Sequence, residues 1–285
     1  MSLTAKGFED LLTLDSYVDL ESLREASFHG IPDQYRCDSW KYLLGVTTPS
    51  KSEELSLQRQ LKLDYEADTQ RTNTQLSLAM KPEINRLRSH SNDPSFNEEK
   101  FDQIKKILIG HFDQHSNIKY QEGMVSLVVP FVTCCSDEVL SYFLFRALME
   151  KIESSFHQLR LNTCVNQFRK YFRILFAELY TYFEDEEVSV EMFFPSWFLF
   201  LLSRELPLEN VMRLWDTYFS MNDSFDELHI YVCLAILEQS QETLLEYEHS
   251  EIKCYLHQLP SFDMDFLISE AKNIQDAIFQ SNLNL

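Results

Sequence analysis

Glycine is scarce in this chain, five in 285 residues, and no Asn-Gly or Asp-Gly pair offers the turn that closes a tight hairpin. That scarcity disfavours sheets built from short hairpins and favours helices. Basic residues are also few: 25 Lys plus Arg stand against 45 Asp plus Glu, a formal charge of −20. A field of that sign repels phosphate backbones and anionic lipid surfaces, so nucleic acid is not an expected partner. The six cysteines include no Cys-x-x-Cys spacing, and Cys134 and Cys135 are adjacent inside an apolar run, where neither a metal clamp nor an ordinary disulfide is expected. All six read as reduced, buried packing residues of a cytosolic protein. Long apolar runs are missing too. The two most apolar windows, Val125–Cys135 and Met192–Leu202, hold 11 residues each, short of the ~18 to 20 needed to span a bilayer. Both read as core helices, with Pro130 and Pro195 expected to kink them. The opening Met1-Ser2-Leu3-Thr4-Ala5-Lys6-Gly7 lacks the basic-then-apolar order of a signal peptide, and neither end carries a lipidation signal. No Gly-x-x-x-x-Gly-Lys-Ser/Thr loop and no Gly-x-Ser-x-Gly elbow is found.

What is present is core material, 45% hydrophobic and 13% aromatic, arranged as helix upon helix. Val18, Leu20, Leu23 and Phe28 recur at near-helical spacing until Gly30-Ile31-Pro32 breaks the pattern. Pro32 should open the next helix and Gly45 end it, with Arg36 and Trp40 four apart on one face. Ser52 to Met80 is a polar stretch with a thin stripe of Leu55, Leu57, Leu61, Leu63 and Tyr65, expected to form one or two exposed helices. Leu87 to Pro94 reads as a loop. Ser95-x-x-Glu98 has the form of a capping box, opening a helix that turns Phe101, Ile104, Ile107, Leu108 and Phe112 inward and ends near Asn117. Further helices are expected over Asp137–Phe156, Asn162–Phe183, Val190–Arg204, Pro207–Met221, Ser224–Leu245, Glu251–Gln258 and Met264–Phe279, with Glu184-Asp185-Glu186-Glu187 as a solvated turn. No fixed-period repeat or low-complexity linker divides the chain.

Two short segments carry candidate chemistry. Met80-Lys81-Pro82-Glu83-Ile84-Asn85-Arg86 presents an arginine with a carboxylate three residues before it. Lys119-Tyr120-Gln121-Glu122-Gly123-Met124 forms a polar loop before an apolar helix. Together they resemble the signature of the TBC domain family, helical domains that act as activators of Rab GTPases. The arginine motif Ile-x-x-Asp-x-x-Arg reads here Met80-x-x-Glu83-x-x-Arg86. The motif Tyr-x-Gln-Gly-Met reads Tyr120-Gln121-Glu122-Gly123-Met124, with glutamate where the family has its catalytic glutamine. Other stretches agree: Gly30-Ile31-Pro32, Arg36-x-x-x-Trp40, Leu43-Leu44-Gly45, Phe193 to Trp197, Leu201 to Leu208 and Arg213-Leu214-Trp215-Asp216. Ser196 precedes Trp197 where many members have arginine. The likeness runs from about Phe28 to Ile278.

The resemblance implies an all-α, two-lobed fold, with a lead-in helix over 1–26, the domain over 27–280 and a tail over 281–285. Arg36, Trp40, Trp197, Arg213, Trp215 and Asp216 would be its structural motif residues. The implied partner is a Rab-type small GTPase in the GTP-bound form, and a second regulatory subunit could complete the site. The chain would need no cofactor of its own, since GTP and magnesium belong to the partner. It would insert in no membrane and would be cytoplasmic, reaching endomembranes through that partner. Arg86 would be supplied in trans to the phosphoryl group being transferred; its planar fork bonds two oxygens and its charge survives desolvation. Glu83 could hold the guanidinium, and Tyr120, Gln121, Gly123 and Met124 would support the loop. A glutamine both accepts from water and donates, whereas an ionised Glu122 only accepts. Beside a γ-phosphate it would repel, although a carboxylate at a helix start also complements the backbone dipole. A domain that binds Rab as a scaffold with impaired catalysis is the alternative. His111 and His115 share a helix face, but Phe112 stands where a metalloprotease needs its glutamate, so no metal is expected.

Overall fold

The computed structural model describes residues 5–13, 16–70, 72–90, 96–114, 117–221 and 225–281. Among them fifteen α-helices form, and the only β-pairing is an isolated bridge between Tyr17 and Ser50. The fold is all-α. None of the described helices is long and apolar enough to cross a membrane. The chain divides into two compact units, Met1–Glu153 with Asp216–Ser220, and Ser154–Trp215 with Met221–Leu285.

The first unit contains α1 (Ala5–Thr13), α2 (Leu20–Phe28), α3 (Asp33–Leu43), α4 (Glu54–Thr69), α5 (Thr74–His90), α6 (Glu98–Gln114), α7 (Met124–Cys134) and α8 (Glu138–Ile152). Asp19 opens α2 by accepting from the Glu21 and Ser22 amides, and Pro32 precedes the first turn of α3, where its missing N–H costs nothing. Gly45 follows α3 at φ +76°, a left-handed conformation open to glycine without a Cβ penalty. Two helices, α4 and α5, fill the polar stretch; only Tyr65 of α4 is buried. α5 continues to His90, into the loop expected over Leu87–Pro94. The expected start at Leu87 is corrected because Leu87 to His90 hold helix formers and no glycine or proline to stop them. Ser91 to Ser95 lie outside the described residues, and with them the capping-box serine. Asn97 accepts from the Lys100 amide at 3.1 Å and so caps α6.

α7 is the core helix of this unit. Met124, Val125, Leu127, Val128, Val129, Phe131 and Val132 are all buried, a gross contribution of the order of 10 kcal/mol or more. The helix continues through Pro130. Phe131 meets Trp40 edge-on at 5.6 Å and stacks on Phe219 at 6.2 Å. Beside them lies a buried polar hub. Asp216 accepts from Arg36 Nε at 3.1 Å, Trp40 Nε1 at 2.9 Å and the Ile31 amide at 3.0 Å; Arg36 also bonds the Ile31 carbonyl at 2.8 Å and pairs with Asp33. Burial pushes the Asp216 carboxyl up to about 6, with the Arg36 guanidinium pulling the other way.

A disulfide joins Cys37 to Cys135, whose Cα atoms are 5.4 Å apart. This corrects the reading of six reduced thiols: a link across 98 positions leaves no local spacing to read. Cys254 is exposed, a second correction to the expectation that every cysteine is buried, while Cys164 and Cys233 are buried. Cys254 lies on α14, whose buried stripe is Ile252 and Leu256, two positions away on either side.

The second unit contains α9 (Gln158–Leu175), α10 (Ala177–Asp185), α11 (Phe194–Leu199), α12 (Leu208–Ser220), α13 (Phe225–Leu244), α14 (His249–His257) and α15 (Met264–Gln280). The last residues of α12, Asp216–Ser220, belong to the first unit. Two expected helices are corrected. Asn162–Phe183 is interrupted at Phe176 (φ −126°, ψ 56°), separating α9 from α10. Val190–Arg204 is a 3₁₀ turn, the short α11 opened by Pro195, and a turn in which Leu201 and Leu202 take φ +49° and +61°. Pro195 therefore starts a helix where a kink was expected. The acidic turn begins later than Glu184, because α10 runs to Asp185. Trp197 and Trp215 are fully buried, with indole N–H groups donating to the carbonyls of Leu256 (2.9 Å) and Leu201 (3.3 Å). Arg213 binds Asp265 at 2.5 Å.

Candidate functional site

α5 packs on α6 and α7 through Met80 and Ile84, four residues apart and both buried. That register turns Arg86 outward. Pro82 lies within α5 and, having no N–H, donates no hydrogen bond to the carbonyl of Leu78, a residue exposed to water.

The facing loop is held from three sides. Met124 is fully buried at the start of α7, and its sulfur accepts the Gln121 amide at 3.2 Å. The Tyr120 ring meets Phe112 edge-on at 5.9 Å. Glu83 supplies the third tie, since one carboxylate oxygen accepts both the Tyr120 hydroxyl at 2.7 Å and the Gly123 amide at 3.0 Å. Gly123 sits at φ +115°, where a side chain would be strained. With these residues fixed, Gln121 and Glu122 are left exposed.

Arg86 Nη2 donates to Glu122 Oε1 at 3.2 Å, the two side chains being 56% and 63% exposed. Two segments 36 positions apart thus present an open ion pair. Such a pair is worth at most about 1 kcal/mol, so either member separates readily when an incoming group offers better partners. The arrangement can offer a guanidinium to an anion, and it sets a carboxylate beside it.

The structure brings together Arg86, Glu122, Glu83, Tyr120, Gln121, Gly123 and Met124. Glu83 departs from its expected role as the holder of the guanidinium: its bonds go to Tyr120 and Gly123, and Glu122 pairs with Arg86. Phe112, read from the sequence as core, is half-buried against Tyr120; its place eight positions after the buried Ile104 is no signal of that contact. His111 is buried against Phe112 and Phe145, and His115 lies outside the described residues. No group of three or more His, Cys, Asp or Glu that could hold a metal ion is present among the described residues.

The model of the Rab-GTPase-TBC domain matches residues 33–245. The chain belongs to the Rab-GTPase-TBC domain family. Both halves of the Arg86–Glu122 site fall within the matched TBC region. GTPase-activating protein gyp1 of Schizosaccharomyces pombe is 25% identical over 89% of this chain and 57% of its own length. Human TBC1 domain family member 22A is 25% identical over 91% of this chain and 57% of its own. The chain thus spans a little over half the length of these TBC relatives. The solved Ypt/Rab-GAP domain of Gyp1p superposes with a TM-score of 0.80 at 22% identity, covering 96% of this chain and 98% of that one, which shows a shared fold.

Proposed function

We propose that this TBC domain receives a GTP-bound Rab-type GTPase at the Arg86–Glu122 site and stimulates GTP hydrolysis, with Arg86 supplied in trans and Glu122 holding the rate down. The observation that carries the reading is the meeting of Arg86 with position 122 on an exposed surface, at 3.2 Å. An arginine contributed in trans to a phosphoryl transfer is worth ~10³ to 10⁵ in rate. To act, Arg86 must leave Glu122 for phosphate oxygens, and this costs little because the pair is exposed. The larger handicap comes afterwards. A carboxylate ~4 Å from a γ-phosphate oxygen repels it by roughly 4 kcal/mol at an effective dielectric near 20. Opening the pair is therefore the minor obstacle, and the charge of Glu122 near the nucleotide is the major one. GTP and magnesium are the partner's. The domain would work in vesicle trafficking, in the cytoplasm and on endomembranes reached through the GTPase.

The same pair favours a second reading, in which the domain binds Rab as a scaffold and catalyses little. Binding of GTP-loaded and GDP-loaded Rab proteins, measured together with phosphate release by wild type and Arg86→Ala, separates the two. Activation requires faster release with wild type and loss of that effect with Arg86→Ala. Preference for the GTP form without acceleration by any variant supports the scaffold. Absence of binding across the Rab panel removes both.

A further inference from the structure

The Cys37–Cys135 link encloses more than a loop. Every residue of the candidate site, from Glu83 and Arg86 to Gly123, lies in the chain between the two bonded cysteines. Cys135 is the C-cap of α7, the helix whose opposite end carries Gly123 and the exposed Glu122. Cys37 lies on α3, next to Arg36 of the Asp216 hub. The bond thus fastens α3 to the far end of the helix that presents half of the site.

We propose that Cys37 and Cys135 form a redox switch that stiffens the site-bearing unit when closed and loosens it when open. The two residues differ in exposure, Cys135 being 1% exposed and Cys37 half-buried. A small disulfide such as oxidised glutathione therefore reacts first at Cys37. The Cys37 thiol loses its proton and attacks the glutathione S–S bond, forming a mixed disulfide and releasing one glutathione, which takes up a proton. The Cys135 thiol loses its proton and attacks the Cys37 sulfur, breaking the mixed disulfide and releasing the second glutathione. Two electrons pass from the cysteine pair to glutathione, and a dithiol reverses both steps. A third sulfur, Cys134, stands 3.6 Å from Cys135. Burial pushes its thiol up to about 12, so it stays protonated and does not compete. Two thiols at these positions still pack as small apolar groups, which leaves the open form folded.

The experiment uses the full chain with Cys254→Ser, removing the exposed thiol, and involves no GTPase, so it succeeds or fails independently of the Rab reading. After oxidised glutathione, alkylation of the unfolded chain should count three free thiols, Cys134, Cys164 and Cys233, against five after dithiothreitol. Peptide mapping should recover the Cys37–Cys135 cross-link. The oxidised form should melt about 10 °C higher, as expected for closing a loop of this length, and its amides at 119–123 should exchange more slowly. Cys37→Ala should hold melting and exchange at the reduced values under both conditions, whereas Cys134→Ser should keep the full response. Five free thiols after oxidation, a cross-link mapped elsewhere, or a correct cross-link that leaves exchange at 119–123 unchanged would each overturn the proposal.

Discussion

Glu122→Gln should make the domain a faster activator. The substitution keeps the shape of the side chain and removes its charge. In the resting structure it releases Arg86 from a 3.2 Å ion pair, a change of at most about 1 kcal/mol because both side chains are more than half exposed. Against a bound nucleotide it removes a repulsion of roughly 4 kcal/mol, which at 1.36 kcal/mol per decade is about a thousandfold in rate. The amide also restores a donor that the carboxylate lacks. Single-turnover phosphate release from GTP-loaded Rab, with the domain in excess, reads the chemical step directly. The gain should lie mainly in the maximal rate, with apparent affinity changing several-fold at most. A wild type already as fast as Glu122→Gln, at equal affinity, would refute the reasoning.

Substitutions at three other positions test the fold and the support of the site. Glu83→Ala removes the acceptor shared by Tyr120 and Gly123, should cost about 1 to 3 kcal/mol in denaturant unfolding, and should slow Rab-stimulated release, while Glu83→Gln retains most of both. Asp216→Asn leaves the buried Arg36 guanidinium without its buried counter-charge and should destabilise the first unit by about 3 to 5 kcal/mol, seen as a lower denaturation midpoint. Glu205 is buried, and burial pushes its carboxyl up to about 7 from an ordinary value of 4.5. The Ser196 hydroxyl donates to one of its oxygens at 2.6 Å. Well below pH 4.5 the group is protonated folded and unfolded alike; between 4.5 and 7 the folded state holds the proton more tightly, so stability falls as pH rises. Glu205→Gln should therefore stabilise the second unit by up to about 3 kcal/mol near pH 8 and by little near pH 4.5, measured by thermal melts across that range.

Much of the fold was legible because its signals are local. Pro32 and Gly45 bracket α3, and the spacing of Phe101, Ile104, Ile107 and Leu108 identifies the buried face of α6. The breaks that escaped notice lack such markers. Phe176 separates α9 from α10 with no glycine or proline, and Leu201 and Leu202 adopt left-handed conformations that leucine seldom takes. Long-range pairing was illegible for the same reason. Nothing local tells Arg36 that its partner is Asp216, 180 positions away, or Cys37 that its partner is Cys135. At the site, the motifs located Arg86 and Glu122 but not the direction of Glu83. Its i−3 spacing from Arg86 suggested a helical pair, whereas the loop fold gave it two other donors, the Tyr120 hydroxyl and the Gly123 amide.

The role assigned to Arg86 is tested most directly by removing it where it should matter most, in the Glu122→Gln background. Single-turnover phosphate release from GTP-loaded Rab should fall by ~10³ or more when Arg86→Ala is added, with Rab binding retained. If the double variant releases phosphate as fast as Glu122→Gln alone, Arg86 does not act on the nucleotide and the account is wrong.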